Sequence, residues 1–241
     1  GGQELQPEKS TNFSAGLVYA PSPQLSATLD AYQIDISDRI GISQTFTVTP
    51  ADRLALIAAG VPNASELNTV RYFANGFDTR TRGVDLVGSF HHAAGPGRLG
   101  LTAAFNYNDT KITQADPTVI SPVVVLQVER ALPRVTGILS TDYEWKKLKL
   151  FARARHYGEW IWAADASNAN LNQPVGSETF IDLFGTYALT RDVDITVGAE
   201  NLLDNYTELT QFNQALGRKY PGQVPYENDG RQAYVRVGIR F

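Results

Sequence analysis

The chain has 241 residues and a formal net charge of -4, with 21 Lys and Arg against 25 Asp and Glu. It has no Cys, which excludes disulfides and thiolate metal sites, and no basic footprint, which argues against nucleic acid as a partner. No apolar run of about 18 residues occurs, so no helix spans a membrane; a membrane barrel stays open, since its strands carry only a weak signal.

After a polar opening, Phe13, Ala15, Leu17 and Tyr19 alternate with Ser14, Gly16 and Val18. Alternation places one set on each face of a strand. Pro21-Ser22-Pro23 stops it. The next strand sets Leu25, Ala27, Leu29 and Ala31 against Ser26, Thr28, Asp30 and Tyr32, with a slip expected near Gln33-Ile34. A connection from about 38 to 68 holds a short helix, with Thr49 as N-cap, Pro50 in the first turn and Gly60 at the stop. Strand signal resumes near Arg71 and is clear from Arg82 to Phe90, with Val84, Leu86, Gly88 and Phe90 on one face. Ala94-Gly95-Pro96-Gly97 turns the chain into Leu99, Leu101, Ala103, Phe105 and Tyr107.

A second connection runs from about 113 to 132, and its Val123-Val124-Val125-Leu126 run predicts a loop or strand extension. Val135, Gly137, Leu139, Thr141, Tyr143 and Trp145 then share a face, and Lys146-Lys147 makes a tight turn. Leu148, Leu150, Ala152 and Ala154 follow, and the same parity carried forward puts Trp160 and Trp162 on the apolar side. Beyond a loop from 163 to 176, Ile181, Leu183, Gly185 and Tyr187 return, and after Arg191-Asp192 come Val193, Ile195, Val197 and Ala199. A last loop from about 203 to 229 leads to Ala233, Val235, Val237, Ile239 and Phe241, opposite Gln232, Tyr234, Arg236, Gly238 and Arg240.

The pattern predicts nine strands, with short and long connections in strict alternation. Outer-membrane barrels do this, with short turns in the periplasm and long loops outside. Tyr19, Phe90, Tyr143, Trp145, Tyr187 and Phe241 all precede a short turn or the terminus, as a periplasmic aromatic girdle would. Trp160 and Trp162 are expected in the outer girdle. The polar faces carry Asp85, Arg153, Arg155, Asp182, Asp194, Glu200, Arg236 and Arg240, which suits a wide lumen. Nine strands cannot close a wide barrel, so the chain reads as the later part of something larger.

Several segments resemble a known family. Gln6-Pro7-Glu8-Lys9-Ser10 resembles the entry to a late barrel strand of TonB-dependent outer-membrane receptors. Asp30 to Ile40, Asn75-Gly76 with Thr81-Arg82-Gly83-Val84-Asp85, Asn201-Leu202-Leu203-Asp204-Asn205-Tyr206 and the terminal strand from Gly230 resemble four further segments of it. The resemblance implies an all-β fold: an antiparallel membrane β-barrel segment of nine long meander strands, about the last nine of 22. Residues 1–241 would be the C-terminal portion, with the plug domain and earlier strands outside the chain. Alone, the strands would form an open curved sheet whose two free edges invite aggregation.

The implied function is TonB-dependent uptake of a scarce nutrient, a ferric siderophore or other metal complex, across the outer membrane of a Gram-negative bacterium. The implied partners are outer-membrane lipid, the missing plug and strands, the TonB complex through that plug, and an extracellular small-molecule ligand. Ligand contacts in the outer lumen would come from Tyr32, Arg80, Asn106, Arg155, Tyr157 and Tyr234. A porin or adhesin translocator is the nearest alternative, and a soluble carbohydrate-binding β-sandwich the next. No catalytic constellation, metal site or cofactor is expected: His91 and His92 are adjacent, so they point to opposite faces of a strand and cannot chelate together.

Overall fold

The computed structural model describes residues 4–164 and 168–240. Phe241, placed by its pattern in the aromatic girdle, lies outside the described residues. Among the described residues thirteen strands form: β1 Lys9–Ser22, β2 Leu25–Ile42, β3 Phe46–Thr47, β4 Thr69–Val70, β5 Phe73–Ala94, β6 Gly97–Ala115, β7 Val135–Trp145, β8 Leu148–Tyr157, β9 Trp160–Ala163, β10 Asn172–Val175, β11 Glu178–Ala188, β12 Val193–Glu200 and β13 Gln232–Ile239. Nine of them make one antiparallel sheet in the order β1-β2-β5-β6-β7-β8-β11-β12-β13. The four small strands pair off inside the long connections, β3 with β4 and β9 with β10. The predicted nine-stranded meander is therefore the observed one, and β1 and β13 are its edges.

The register carries the apolar face across the whole sheet. Leu17 faces Leu29, Leu29 faces Leu86, and Leu86 faces Phe105. Leu139 faces Ala154, Ala154 faces Ile181, Tyr187 faces Ile195 and Ile195 faces Val237. Directly paired residues point to the same side, so one face is continuously apolar and the other polar. On the apolar face Leu17 is 71% exposed, Leu139 55%, Val197 57% and Val235 68%. Burying one such side chain is worth about 1.5–3 kcal/mol, so this face needs a cover that the described residues do not supply. Among the described residues no second sheet packs on it. The soluble sandwich, which needs such a sheet, is not what forms.

The slip expected at Gln33-Ile34 comes later. Pairing of β2 with β5 is regular to Ile36, and the irregularity spans Ile36 to Ile40, with Asp38 at φ 58°. The first connection behaves as predicted. Helix α1, Pro50–Ala58, starts on Thr49, whose hydroxyl accepts from the Asp52 N–H while Asp52 accepts from the Thr49 N–H. That reciprocal cap and the proline in the first turn fix where the helix begins.

The Val123–Leu126 run is corrected. It is neither loop nor strand but part of helix α2, Pro122–Arg130, capped by Ser121, whose hydroxyl accepts from the Val124 N–H. β-branched residues favour strands only on a pleated surface, and here a capping serine and a following proline start a helix instead. Among the described residues no helix is long and apolar enough to cross a membrane.

Candidate functional site

The polar face is organised around one carboxylate. Arg153 and Arg155 lie two apart on β8, so they share a face, and Asp182 on β11 pairs directly with Arg153. Asp182 is fully buried. It accepts from Arg153 Nε at 2.7 Å, Arg155 Nε at 3.0 Å, Arg155 Nη2 at 3.1 Å and the Asn201 N–H at 2.9 Å. A buried carboxylate is tolerable only when so supplied with donors. The cluster joins β8 and β11 to the first residue of the last long loop. Arg155 also reaches Glu227 in that loop, at 3.5 Å, and lies over the Phe180 ring.

Above this cluster sits an aromatic core. Trp160, Trp162, Val175, Phe180 and Tyr226 are all buried together, with Tyr157 and Phe212 packed against them. Tyr157 and Tyr226 have ring centroids 5.1 Å apart, and Phe180 and Tyr226 5.2 Å. Trp160 is 2% exposed and Trp162 4%, so neither belongs to an outer lipid girdle. Strand parity does not carry past Tyr157, where β8 ends. Gly158 and Glu159 interrupt the ladder, and β9 pairs with β10 instead of continuing in the large sheet.

The four long loops are stitched side by side, mostly by glutamine. The Gln44 N–H donates to the Val119 carbonyl (2.7 Å) and its side chain to the Thr118 carbonyl, joining the first loop to the second. Gln127 donates to the Ala163 carbonyl, joining the second to the third. Gln173, 1% exposed, donates to the Leu209 carbonyl and accepts from the Gln211 N–H, joining the third to the fourth. Nothing in the local sequence marked these three residues, because each works through a backbone distant in the chain.

The segments that carried the resemblance have physical tasks. Asn201 and Asp204 both adopt positive φ, and Asn201 exchanges hydrogen bonds with the Asn205 backbone. Asn205 donates to the Thr179 carbonyl, and Asp204 accepts from the Arg231 N–H. The motif thus turns the chain out of β12 and ties the loop to both its ends. The Tyr206 hydroxyl lies against Gly230, which has φ 76° and no room for a Cβ. The neighbouring Asp204 charge raises the Tyr206 phenol above its ordinary value. At the other end of the sheet, Asn75 accepts from the Gln6 N–H and donates to the Gln6 and Asp38 carbonyls, while Glu8 accepts from the Ile40 N–H. Three segments separated in sequence meet there.

Of the six residues predicted for ligand contact, five lie on the polar face. Tyr32 lies over Gly83 and accepts from Asn108 (2.9 Å), and Asn106 donates to Asp85 (2.6 Å). Arg155 and Tyr157 belong to the clusters above. Tyr234 packs on Phe184, which packs on Phe151, with centroids 5.7 and 5.9 Å apart. Arg80 is a correction. It pairs with Asp35 and Lys111, in step with Val84 and Ala31, so it points outward with the apolar face. It makes a 2.6 Å ion pair with Asp35 there.

Tyr19, Phe90, Tyr143, Trp145 and Tyr187, expected in the girdle, all fall on the apolar face beside tight turns. His92 stacks on Phe90 and His156 bonds Thr179. Among the described residues no three His, Cys, Asp or Glu side chains gather as a metal site would require.

The chain is 25% identical over its whole length to an iron-regulated outer membrane virulence protein of Vibrio cholerae (strain O395), and it spans 32% of that relative's length. Its fold is similar to the FrpB iron transporter of Neisseria meningitidis, with a TM-score of 0.67 at 13% identity, over 99% of this chain and 32% of that one. It is also similar to the ferripyoverdine receptor of the outer membrane of Pseudomonas aeruginosa, with a TM-score of 0.63 at 15% identity, over 98% of this chain and 28% of that one. The family pattern described as TonB dependent receptor-like, beta-barrel matches residues 1–202, most of the chain, and the chain belongs to that family.

Proposed function

We propose that this chain is the C-terminal portion of the barrel of a TonB-dependent transporter in the outer membrane of a Gram-negative bacterium. The plug domain, the TonB-contacting segment and the earlier strands belong to the rest of that receptor. Its cargo is a ferric siderophore or a related metal complex. The observation that carries the reading is the division of all nine strands into an exposed apolar face and a polar face, with every long loop at one end. Two of the relatives, an iron-regulated outer-membrane protein and a ferripyoverdine receptor, support iron as the metal. A copper transporter of the same fold (TM-score 0.62) makes copper the alternative cargo.

On this reading the apolar face meets lipid and the girdle aromatics sit at the periplasmic interface. Tyr32, Asn106, Arg155, Tyr157 and Tyr234 line the lumen. The family's members are transporters, and the assembly of side chains here serves binding and passage, not catalysis.

The test is growth with single iron sources after deletion of the intact receptor gene. Growth should fail on one ferric chelate and return when the gene is restored. Unchanged growth on every iron source, with reduced copper accumulation, would replace iron by copper.

A further inference from the structure

In the early half of the sheet the apolar face ends at a definite height. Phe13, Gln33, Arg82 and Asp109 pair in one row across β1, β2, β5 and β6, and Ala31, Val84 and Tyr107 pair in the row below. Toward the tight turns, Tyr143 pairs through Leu99 with His92, ten residues beyond Arg82 on β5. Ten residues of a strand tilted by about 40° rise about 25 Å, the height of a barrel's apolar band. The Arg82 row therefore stands at the far border of that band. Phe13 and Tyr107, both exposed, are the aromatics at this border.

A shallow hollow of about 340 Å3 opens there. Phe13, Ala15, Ala31, Gln33 and Arg82, which share the outward face, line it. Ala15 and Ala31 are direct partners, so two small side chains lie together beside the larger Phe13. Arg82 is the one charged residue in the lining. Its Nε donates to the Gln33 side-chain oxygen at 2.8 Å, which orients the guanidinium. The carboxylates nearby are engaged elsewhere. Asp35 accepts from Gln33 on one oxygen and from Arg80 on the other. Asp109 lies 2.7 Å from Arg134, and Glu129 lies 3.1 Å from Lys111. Of Arg80, Arg82, Lys111 and Arg134, only Arg82 makes no ion pair among the described residues. A guanidinium held by its Nε keeps its terminal nitrogens for a two-point contact with phosphate. An apolar hollow beside an unmatched cation, at the border of the band, suits an amphipathic molecule better than a free ion.

We infer that Arg82 and the Ala15–Ala31 hollow bind a phosphate-bearing lipid of the outer leaflet, with its phosphate on Arg82 and an acyl chain against the two alanines and Phe13. The inference rests on the proposed placement in the membrane. It deepens that reading by giving one position on the lipid face a preferred headgroup.

The intact receptor in detergent is titrated with bisphosphorylated lipid A and with the same lipid after removal of its phosphates, and bound copies are counted by native mass spectrometry. One saturable copy should depend on phosphate, with the dephosphorylated lipid binding about tenfold or more weakly, as for loss of a hydrogen bond between charged groups. Arg82→Gln should weaken the bisphosphorylated lipid by the same factor. That change also releases Gln33, so Ala31→Phe is the second variant. It fills the hollow, keeps the Arg82–Gln33 contact and should also weaken binding, and an aromatic suits an exposed strand position. Inorganic phosphate should not displace the lipid. Equal binding of the two lipids, undiminished binding in either variant, or displacement by inorganic phosphate overturns the inference. Growth on a ferric chelate without a phosphate-dependent copy would remove the lipid site and leave the transporter standing. A phosphate-dependent copy that both variants weaken, without growth on any metal complex, would do the reverse.

Discussion

The two halves of the sheet are built differently. β2, β5 and β6 have 18, 22 and 19 residues, whereas β7, β8, β11, β12 and β13 have 11, 10, 11, 8 and 8. A strand crosses a bilayer in about 9–11 residues, so the early strands stand well clear of any apolar band and the late ones barely span it. The outward face of the early strands changes character to match. Beyond Ala31 and Val84 it carries Gln33, Asp35, Arg80, Arg82 and Lys111, with Arg80 on Asp35 and Arg82 on Gln33 in exposed cross-strand contacts and Lys111 on Glu129 of α2. The late half puts its charges inside instead, on Asp182, and closes its top with the Trp160–Tyr226 core. Long strands can end in water, where ion pairs are cheap to leave and contribute little. Short strands must be finished by loops that fold inward, and there every buried charge needs its donors.

This contrast can be broken at several points. The largest effect is expected from Asp182→Ala, which strands two guanidinium groups against the aromatic core. It should destabilise the late half by about 3–5 kcal/mol, read as a lower midpoint of unfolding in detergent. Trp160→Ala should cost a similar amount, about 3–5 kcal/mol, by leaving a cavity in the loop core. The same residue separates the two halves spectroscopically. The chain has three tryptophans, and brominated lipid should quench Trp145 on the apolar face and leave Trp160 bright. Strong quenching of Trp160 would restore it to an outer girdle and dissolve the distinction.

Gln173→Ala should cost about 1–3 kcal/mol, since it leaves the Leu209 carbonyl and Gln211 N–H without their partner. The expected sign is faster proteolysis of the fourth loop with the sheet intact. In the early half, Thr49→Ala should destabilise α1 by about 1 kcal/mol, seen as faster amide exchange in residues 50–58. The cap also has a pH dependence. Asp52 has its folded value lowered by the Thr49 bonds, so its contribution is complete above the ordinary carboxylate range and is lost as pH falls through the lowered value. Protection of the α1 amides, relative to their intrinsic exchange rate at each pH, should therefore fall on acidification. The smallest effect belongs to Asp35→Ala on the outward face, where the midpoint should be indistinguishable from the parent.

The comparison also separates what local sequence could show from what it could not. Strand parity is a two-residue rule, and each strand obeys it alone, so the nine strands, their faces and the apolar-face positions of Tyr19, Phe90, Tyr143, Trp145 and Tyr187 were readable directly. The Thr49 cap was readable for the same reason, being complete within four residues. Parity could not be carried across a break. Gly158 and Glu159 let the chain leave the large sheet, and Trp160 and Trp162 moved from an expected lipid face to a buried core. Arg80 was expected on the polar face because clear alternation starts only at Arg82; the pairing of β5 carries the parity of Val84 back to it and puts it on the other face. The role of Asp182 was half legible: its face was evident, but its four donors come from β8 and from Asn201.

The sequence by itself determined the meander, the two-faced sheet and the family, because alternation and short motifs are properties of neighbouring residues. Only the tertiary structure decided how the loops close, through the Asp182 cluster, the Trp160 core and the glutamine contacts. Those depend on which backbones meet after long connections, and no local pattern encodes a partner so far away in the chain.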